Sequence, residues 1–137
     1  MFPFEELSVQ ITGSAVSLTV DDVAASSAFF IKHLGFREAM AADGFASLQR
    51  EDAGMHVVLL RRGIEVLPPE LREQRAAGVI VAFVVKDLEG EERRLRAEGV
   101  PITLPLREEP WGERLFMVTD PNGVVIELVE WADAPAA

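Results

Sequence analysis

The sequence predicts an α+β fold made of two βαβββ modules, one after the other in a chain of 137 residues. Three observations carry that prediction. Short runs alternate apolar and polar residues between turn signals, as strands do. Two longer stretches each follow an aspartate and end at a glycine, as helices do. The turn residues also recur at nearly constant spacing. Asp22 and Asp87 are 65 positions apart, Gly35 and Gly99 are 64 apart, and Gly54 and Gly123 are 69 apart. Such spacing points to a duplicated unit, although the two halves share few side chains.

Residues 1–13 are a lead-in, with Val9-Gln10-Ile11 expected as a short edge strand. The first module covers 14–62. Its first strand alternates Ala15, Ser17 and Thr19 with Val16, Leu18 and Val20. Asp21-Asp22 then caps a helix over 23–34, in which Val23, Phe29, Phe30 and Leu34 form one apolar stripe. Gly35 suits the left-handed position after it. A strand over 36–40, the hairpin signal Asp43-Gly44, a strand over 45–50, the turn Asp52-Ala53-Gly54 and a strand over 55–61 complete the module. Residues 63–77 are a linker in which Pro68-Pro69 starts a short helix.

The second module covers 78–131. It begins with an apolar strand over 79–85. Asp87 caps a charged helix over 88–98, and Gly99 ends it. Pro105 makes the strand after it an edge strand, because proline lacks a ladder donor. The loop Glu109-Pro110-Trp111-Gly112 leads to a strand over 114–119. The turn Asp120-Pro121-Asn122-Gly123 then leads to the last strand, and residues 132–137 are a tail.

Composition excludes several kinds of function. With 13 basic and 23 acidic residues the net charge is −10, which disfavours nucleic acid and is compatible with a cationic ligand. The absence of cysteine excludes disulfides, thiolate metal sites and cysteine nucleophiles. Met1-Phe2-Pro3-Phe4-Glu5-Glu6 lacks the basic and apolar segments of a signal peptide. No apolar run approaches the ~18 residues that span a bilayer. A soluble cytoplasmic protein without membrane or nucleic-acid partners is expected.

Glu127 interrupts the last strand, Val124-Val125-Ile126-Glu127-Leu128-Val129. A carboxylate in such a run needs a cation, a donor or solvent. No catalytic set accompanies it. Ser14, Ser17, Ser26, Ser27 and Ser47 have no base and orienting group at recognisable spacing. Asp21-Asp22 reads as a helix cap, and His33 as a partner of the first helix's C-terminal dipole.

The pattern resembles the vicinal oxygen chelate superfamily, which includes glyoxalase I, extradiol dioxygenases, fosfomycin-modifying enzymes and bleomycin-resistance proteins. The resemblance rests on Thr19-Val20-Asp21-Asp22-Val23, Lys32-His33-Leu34-Gly35-Phe36, and Pro110-Trp111-Gly112 leading to Asp120-Pro121-Asn122-Gly123 and Ile126-Glu127-Leu128. It implies a cupped mixed sheet, half from each module. It also implies four metal-ligand positions, one near the start of each module's first strand and one in its last. Glu127 matches one of them. The repeat locates the others at Ala15, Val58 and Ile80, which are hydrocarbon. Val16, Val57 and Val79 beside them cannot ligate either. No metal, other cofactor or catalytic residue is therefore expected.

The resemblance then points to the antibiotic-binding branch: acidic homodimers that sequester drugs, as in antibiotic resistance or transport. The expected inner faces are Ala15, Ser17 and Thr19; Phe45, Ser47 and Gln49; His56, Val58 and Leu60; Ile80, Ala82 and Val84; Arg114, Phe116 and Val118; and Val125, Glu127 and Val129. Of these, Ser17, Phe45, Ser47, His56, Val58, Ile80, Arg114, Phe116 and Glu127 are the candidate ligand contacts. Trp111 joins them as an indole that stacks on a planar ligand or plugs the sheet. The ligand expected is a bulky aromatic or cationic natural product. The alternative is a lyase, isomerase or thiol transferase of the same superfamily, with a displaced metal on His56 and Glu127.

Overall fold

The computed structural model describes residues 9–132. The first eight and last five residues lie outside it, and with them the signal-peptide expectation. Eleven elements follow in order: β1 (Ala15–Val20), α1 (Val23–Leu34), β2 (Arg37–Ala42), β3 (Phe45–Gln49), β4 (His56–Arg61), α2 (Pro69–Arg72), β5 (Ile80–Val84), α3 (Leu88–Ala97), β6 (Ile102–Glu108), β7 (Glu113–Thr119) and β8 (Val125–Trp131).

The strands form two four-stranded mixed sheets, ordered β1-β4-β3-β2 and β5-β8-β7-β6. In each, the first and last strands of a module pair in parallel and the rest pair antiparallel. The matching order bears out the duplicated α+β architecture. The register supports the repeat residue by residue. Ser17 pairs with Val58, and Ala82 with Glu127, which are the same two positions moved on by 65 and 69.

Local chemistry sets the helix ends. The Asp22 side chain accepts from Ala25 N at 3.1 Å, and Asp87 from Gly90 N at 3.1 Å. Each thereby satisfies an amide that no helical carbonyl reaches. Gly35 closes α1 at φ 71°, where a Cβ would be strained and would meet the Arg50 guanidinium at 3.1 Å. Pro105 sits where the β6–β7 register shifts, on an edge strand, as expected. No strand forms at Val9-Gln10-Ile11. Ile11 is 75% exposed, so that run buries no apolar face. The linker reaches the outer edge of β1, where Ala76 N donates to Thr19 O at 2.7 Å.

The helices cover one face of each sheet, and one apolar core runs under both. It includes Leu18, Val20, Phe30, Leu48 and Leu59 from the first module and Val81, Leu88, Leu95, Phe116 and Ile126 from the second. Phe36 meets Phe83 across the seam, ring centroids 5.6 Å apart. His33 Nδ1 lies 2.8 Å from Glu98 Oε1, and Arg94 donates to His33 O at 3.0 Å. His33 thus joins the modules, a role that its place in α1 did not reveal.

A second seam contact runs from the surface at Asp22 into the buried Ser26–Asp120 pair. Asn122 Nδ2 donates to Asp22 O at 2.7 Å and to Ser26 Oγ at 2.6 Å, while its Oδ1 accepts from Asp22 N at 3.1 Å. Ser26 Oγ donates to Asp120 Oδ2 at 2.5 Å. Asp120 Oδ1 also accepts from Asn122 N and Val124 N, at 2.8 and 2.9 Å. Asp120 is only 4% exposed, and three donors satisfy its carboxylate.

Candidate binding site

With the helices on one side, each sheet has a second, helix-free face, called the open face below. Strand alternation decides which residues reach it. On the first sheet these are Ala15, Ser17 and Thr19 of β1, His56, Val58 and Leu60 of β4, and Phe45, Ser47 and Gln49 of β3. The register brings Ser17, Val58 and Ser47 into one row across three strands, with His56 beside Ala15. The five candidate residues of the first module therefore share one surface.

On the second sheet the open face holds Ile80, Ala82 and Val84 of β5, and Val125, Glu127 and Val129 of β8, as expected. The third strand differs. Met117 lies opposite Glu127, Leu115 opposite Val129 and Glu113 opposite Trp131. Arg114, Phe116 and Val118 therefore point the other way. Phe116 and Val118 are fully buried in the helix-side core. Arg114 donates to Glu130 at 2.8 Å and also pairs with Glu89 of α3. The inward placing of these three residues is corrected by one loop residue. The turn runs from Asp120 to Val124, with Asp120 N donating to Val124 O, so Thr119 pairs with Val125 and not with Val124. A one-residue change of register exchanges the faces of a strand.

The corrected register brings Glu113, which had no assigned role, to Glu127. Burial pushes the Glu127 pKa above the usual carboxylate range, and the Glu113 charge and a hydrogen bond to Glu113 push it further. Two carboxyl groups share a hydrogen bond only through a proton, so charge repulsion and hydrogen bonding both favour the protonated form of Glu127. Trp111 completes the group by donating Nε1–H to Glu113 Oε1 at 3.0 Å. Its indole is 65% exposed, on a loop held to β8 by Ala132 N donating to Gly112 O at 2.8 Å. Trp131 follows on the same face, 38% exposed. Glu113 and Trp131 were findable from the sequence only by counting Val124 into the turn.

The four positions equivalent to metal-ligand slots supply one carboxylate, Glu127, among Ala15, Val58 and Ile80. That donor set does not fit a resident divalent metal, which needs three or four nitrogen or oxygen ligands. His56 lies on the first sheet and Glu127 on the second. Among the described residues no three His, Asp or Glu side chains group as metal ligands do.

Two concavities lie elsewhere. One, of about 360 Å³, opens at the seam between Phe36, Phe83 and Leu128, with Arg50 and Arg94 at its rim. Both arginines are committed, Arg50 to Asp52 and Leu34 O, and Arg94 to Glu91 and Glu98. The other lies beside the start of α1, among Asp22, Glu38, Asp43 and Arg61. Neither takes in the Trp111–Glu113–Glu127 group.

A two-sheet α+β fold with repeated βαβββ order and open faces defines the class of protein. Residues 13–128 match the model of the Glyoxalase/Bleomycin resistance protein/Dioxygenase superfamily, and the chain belongs to that superfamily. Among solved structures it is similar to a glyoxalase/bleomycin resistance protein/dioxygenase from Nocardioides, with TM-score 0.75 and 23% identity over 98% of this chain and 95% of that one. It is similar to lactoylglutathione lyase from Agrobacterium tumefaciens, with TM-score 0.71 and 18% identity over 85% and 91%. It is also similar to TioX from Micromonospora sp. ML1, with TM-score 0.68 and 25% identity over 88% and 98%. No curated protein matches. No helix among the described residues is long and apolar enough to cross a membrane.

Proposed function

We infer that the chain binds a bulky aromatic or cationic natural product and sequesters it without a metal, in a cup shared across a homodimer. One observation carries this reading: exposed Trp111 sits beside the Glu113–Glu127 pair, on a face where Ile80 and Val84 are also exposed. An indole offers a stacking surface, paired carboxyls attract a cation, and the aliphatic wall takes the apolar body of a ligand. The slots Ala15, Val58 and Ile80 add hydrocarbon where superfamily enzymes need donors. Superfamily membership supports a small-molecule ligand.

Titration with bleomycin-type and planar cationic peptide antibiotics tests it, read by tryptophan fluorescence. The two tryptophans, Trp111 and Trp131, both belong to the second module, so the signal reports on this face. At least one member of the panel is expected to bind with Kd below roughly 10 μM, about −7 kcal/mol. Trp111→Phe is expected to remove most of the response. A panel with no binder overturns the reading. Stoichiometric Zn²⁺, Ni²⁺ or Mn²⁺ in purified protein, lowered by His56→Ala, would favour the metal-dependent lyase, isomerase or transferase instead.

A further inference from the structure

The two junctions between the modules use matching positions but end differently. Asn122 precedes the turn glycine Gly123, and Ser26 lies four residues after Asp22, the cap of α1. There the Asn122 carboxamide donates to Ser26 Oγ at 2.6 Å, and it both donates to and accepts from the backbone of Asp22. At the other junction Ala53 precedes Gly54, and Glu91 lies four residues after Asp87, the cap of α3. Ala53 and Glu91 both line the seam cavity of about 360 Å³. A methyl group thus stands where the first junction has a carboxamide.

The cavity walls define a ligand chemistry. Leu34, Phe36, Phe83 and Leu128 supply an apolar floor, with the two rings 5.6 Å apart. The rim carries no net charge, because Asp52 and Glu91 match Arg50 and Arg94. It still offers hydrogen bonds. Arg50 donates to both Asp52 oxygens and to Leu34 O, and Arg94 donates to Glu91, Glu98 and His33 O, so each uses three of the five N–H groups of a guanidinium. Glu91 Oε2 accepts from Arg94, while its Oε1 has no partner among the described residues. The backbone contributes as well. Val85 N donates to Val129 O, so alternation turns the N–H and C=O of Val84 to the free edge of β5, which the cavity follows. Donors and acceptors therefore stand together above an apolar floor.

We propose that the seam cavity is a second ligand site, for a small uncharged molecule with a carboxamide head on an aromatic body. The head repeats what Asn122 does at the first junction. Its nitrogen donates to Glu91 Oε1, as Asn122 Nδ2 donates to Ser26 Oγ, and its carbonyl accepts from a remaining N–H of Arg50 or Arg94. Its ring packs on Phe36, Phe83 and Leu128. A carboxylate in the same place would face Asp52 and Glu91, and an ammonium would face the two guanidiniums, so charged analogues are disfavoured. The Trp111–Glu113–Glu127 group lies outside this cavity, and neither reading depends on the other.

Benzamide is the probe, with benzoate and benzylamine as its charged analogues, each titrated into the full chain and followed by two-dimensional amide NMR at pH 7. Benzamide is expected to bind saturably, with Kd of about 1 mM or below. It is expected to shift the amides of Ala53, Gly54, Phe83 and Val84 and to leave those of the Trp111 loop in place. Both analogues are expected to bind at least ~5-fold more weakly. Glu91→Ala removes the acceptor and is expected to weaken benzamide binding at least ~10-fold. Ala53→Asn supplies the carboxamide from the chain itself and is expected to weaken binding as much. Alanine is a strong helix former, so Glu91→Ala keeps the test valid should Ala53→Asn fail to fold. No saturable shift up to about 10 mM benzamide overturns the proposal. So do shifts centred on Trp111, an analogue that binds as tightly as benzamide, or variants that bind like the wild type.

Discussion

Glu127 is held toward its protonated form by burial and by Glu113. Its folded-state pKa lies above the unfolded one, so ionising it costs stability above the folded pKa. That cost vanishes below the unfolded carboxylate pKa. Glu127→Gln is therefore expected to raise Tm at pH 7 in protein dilute enough to be monomeric. The gain shrinks to nothing as pH falls through the carboxylate range. Scanning calorimetry across pH checks this, and a gain that persists at acid pH contradicts it. Phe116 and Trp111 differ in the same explicit way. Phe116 is fully buried, and Phe116→Ala is expected to cost about 3–5 kcal/mol in urea unfolding. Trp111 is exposed, and Trp111→Phe is expected to move stability by no more than about 0.5 kcal/mol. Sequence spacing alone did not separate these two aromatics, because Trp111 lies in the loop just before β7 and Phe116 in its middle, only five positions apart.

The β7–β8 turn shows what an element's boundary decides. Asp120-Pro121-Asn122-Gly123 reads as a turn in the sequence, and Gly123 does take φ 87°. What the sequence hides is that Val124 belongs to the loop and that Asn122 leaves it to hold the start of α1, 100 residues away. Its counterpart in the repeat, 69 positions earlier, is Ala53, which lines the seam cavity instead. One junction is closed by a carboxamide and the other is open. Asn122→Ala removes that carboxamide and leaves Asp22 N and Ser26 Oγ short of a partner. The expected cost is about 1–3 kcal/mol, measured by urea denaturation. Helix caps, by contrast, were legible because Asp22 and Asp87 act within their own turn, where three residues of spacing fix the geometry.

For the whole molecule, the continuous core argues against independent modules. Phe36 and Phe83 meet in it, and Asp120 and Ser26 bond across it. Unfolding is expected as one transition. Tryptophan fluorescence reports on the second module alone, and far-ultraviolet circular dichroism on both, so their urea midpoints are expected to coincide. Two separated midpoints would mean that the modules unfold apart.

The order of strands, the two helices, their caps and the duplication followed from the sequence, because periodicity and turn chemistry act over a few residues. The tertiary structure alone decided three further things. Strand register, set by one loop residue, turned Arg114 and Phe116 away from the open face and brought Glu113 to Glu127. Contacts across the seam gave His33 and Asn122 partners in the other module. Sheet faces, which exist only once strands are paired, sorted Arg37 and His56 onto one surface and the carboxyl pair onto the other. Each depends on contacts between residues far apart in the chain, and local pattern carries no record of such distances.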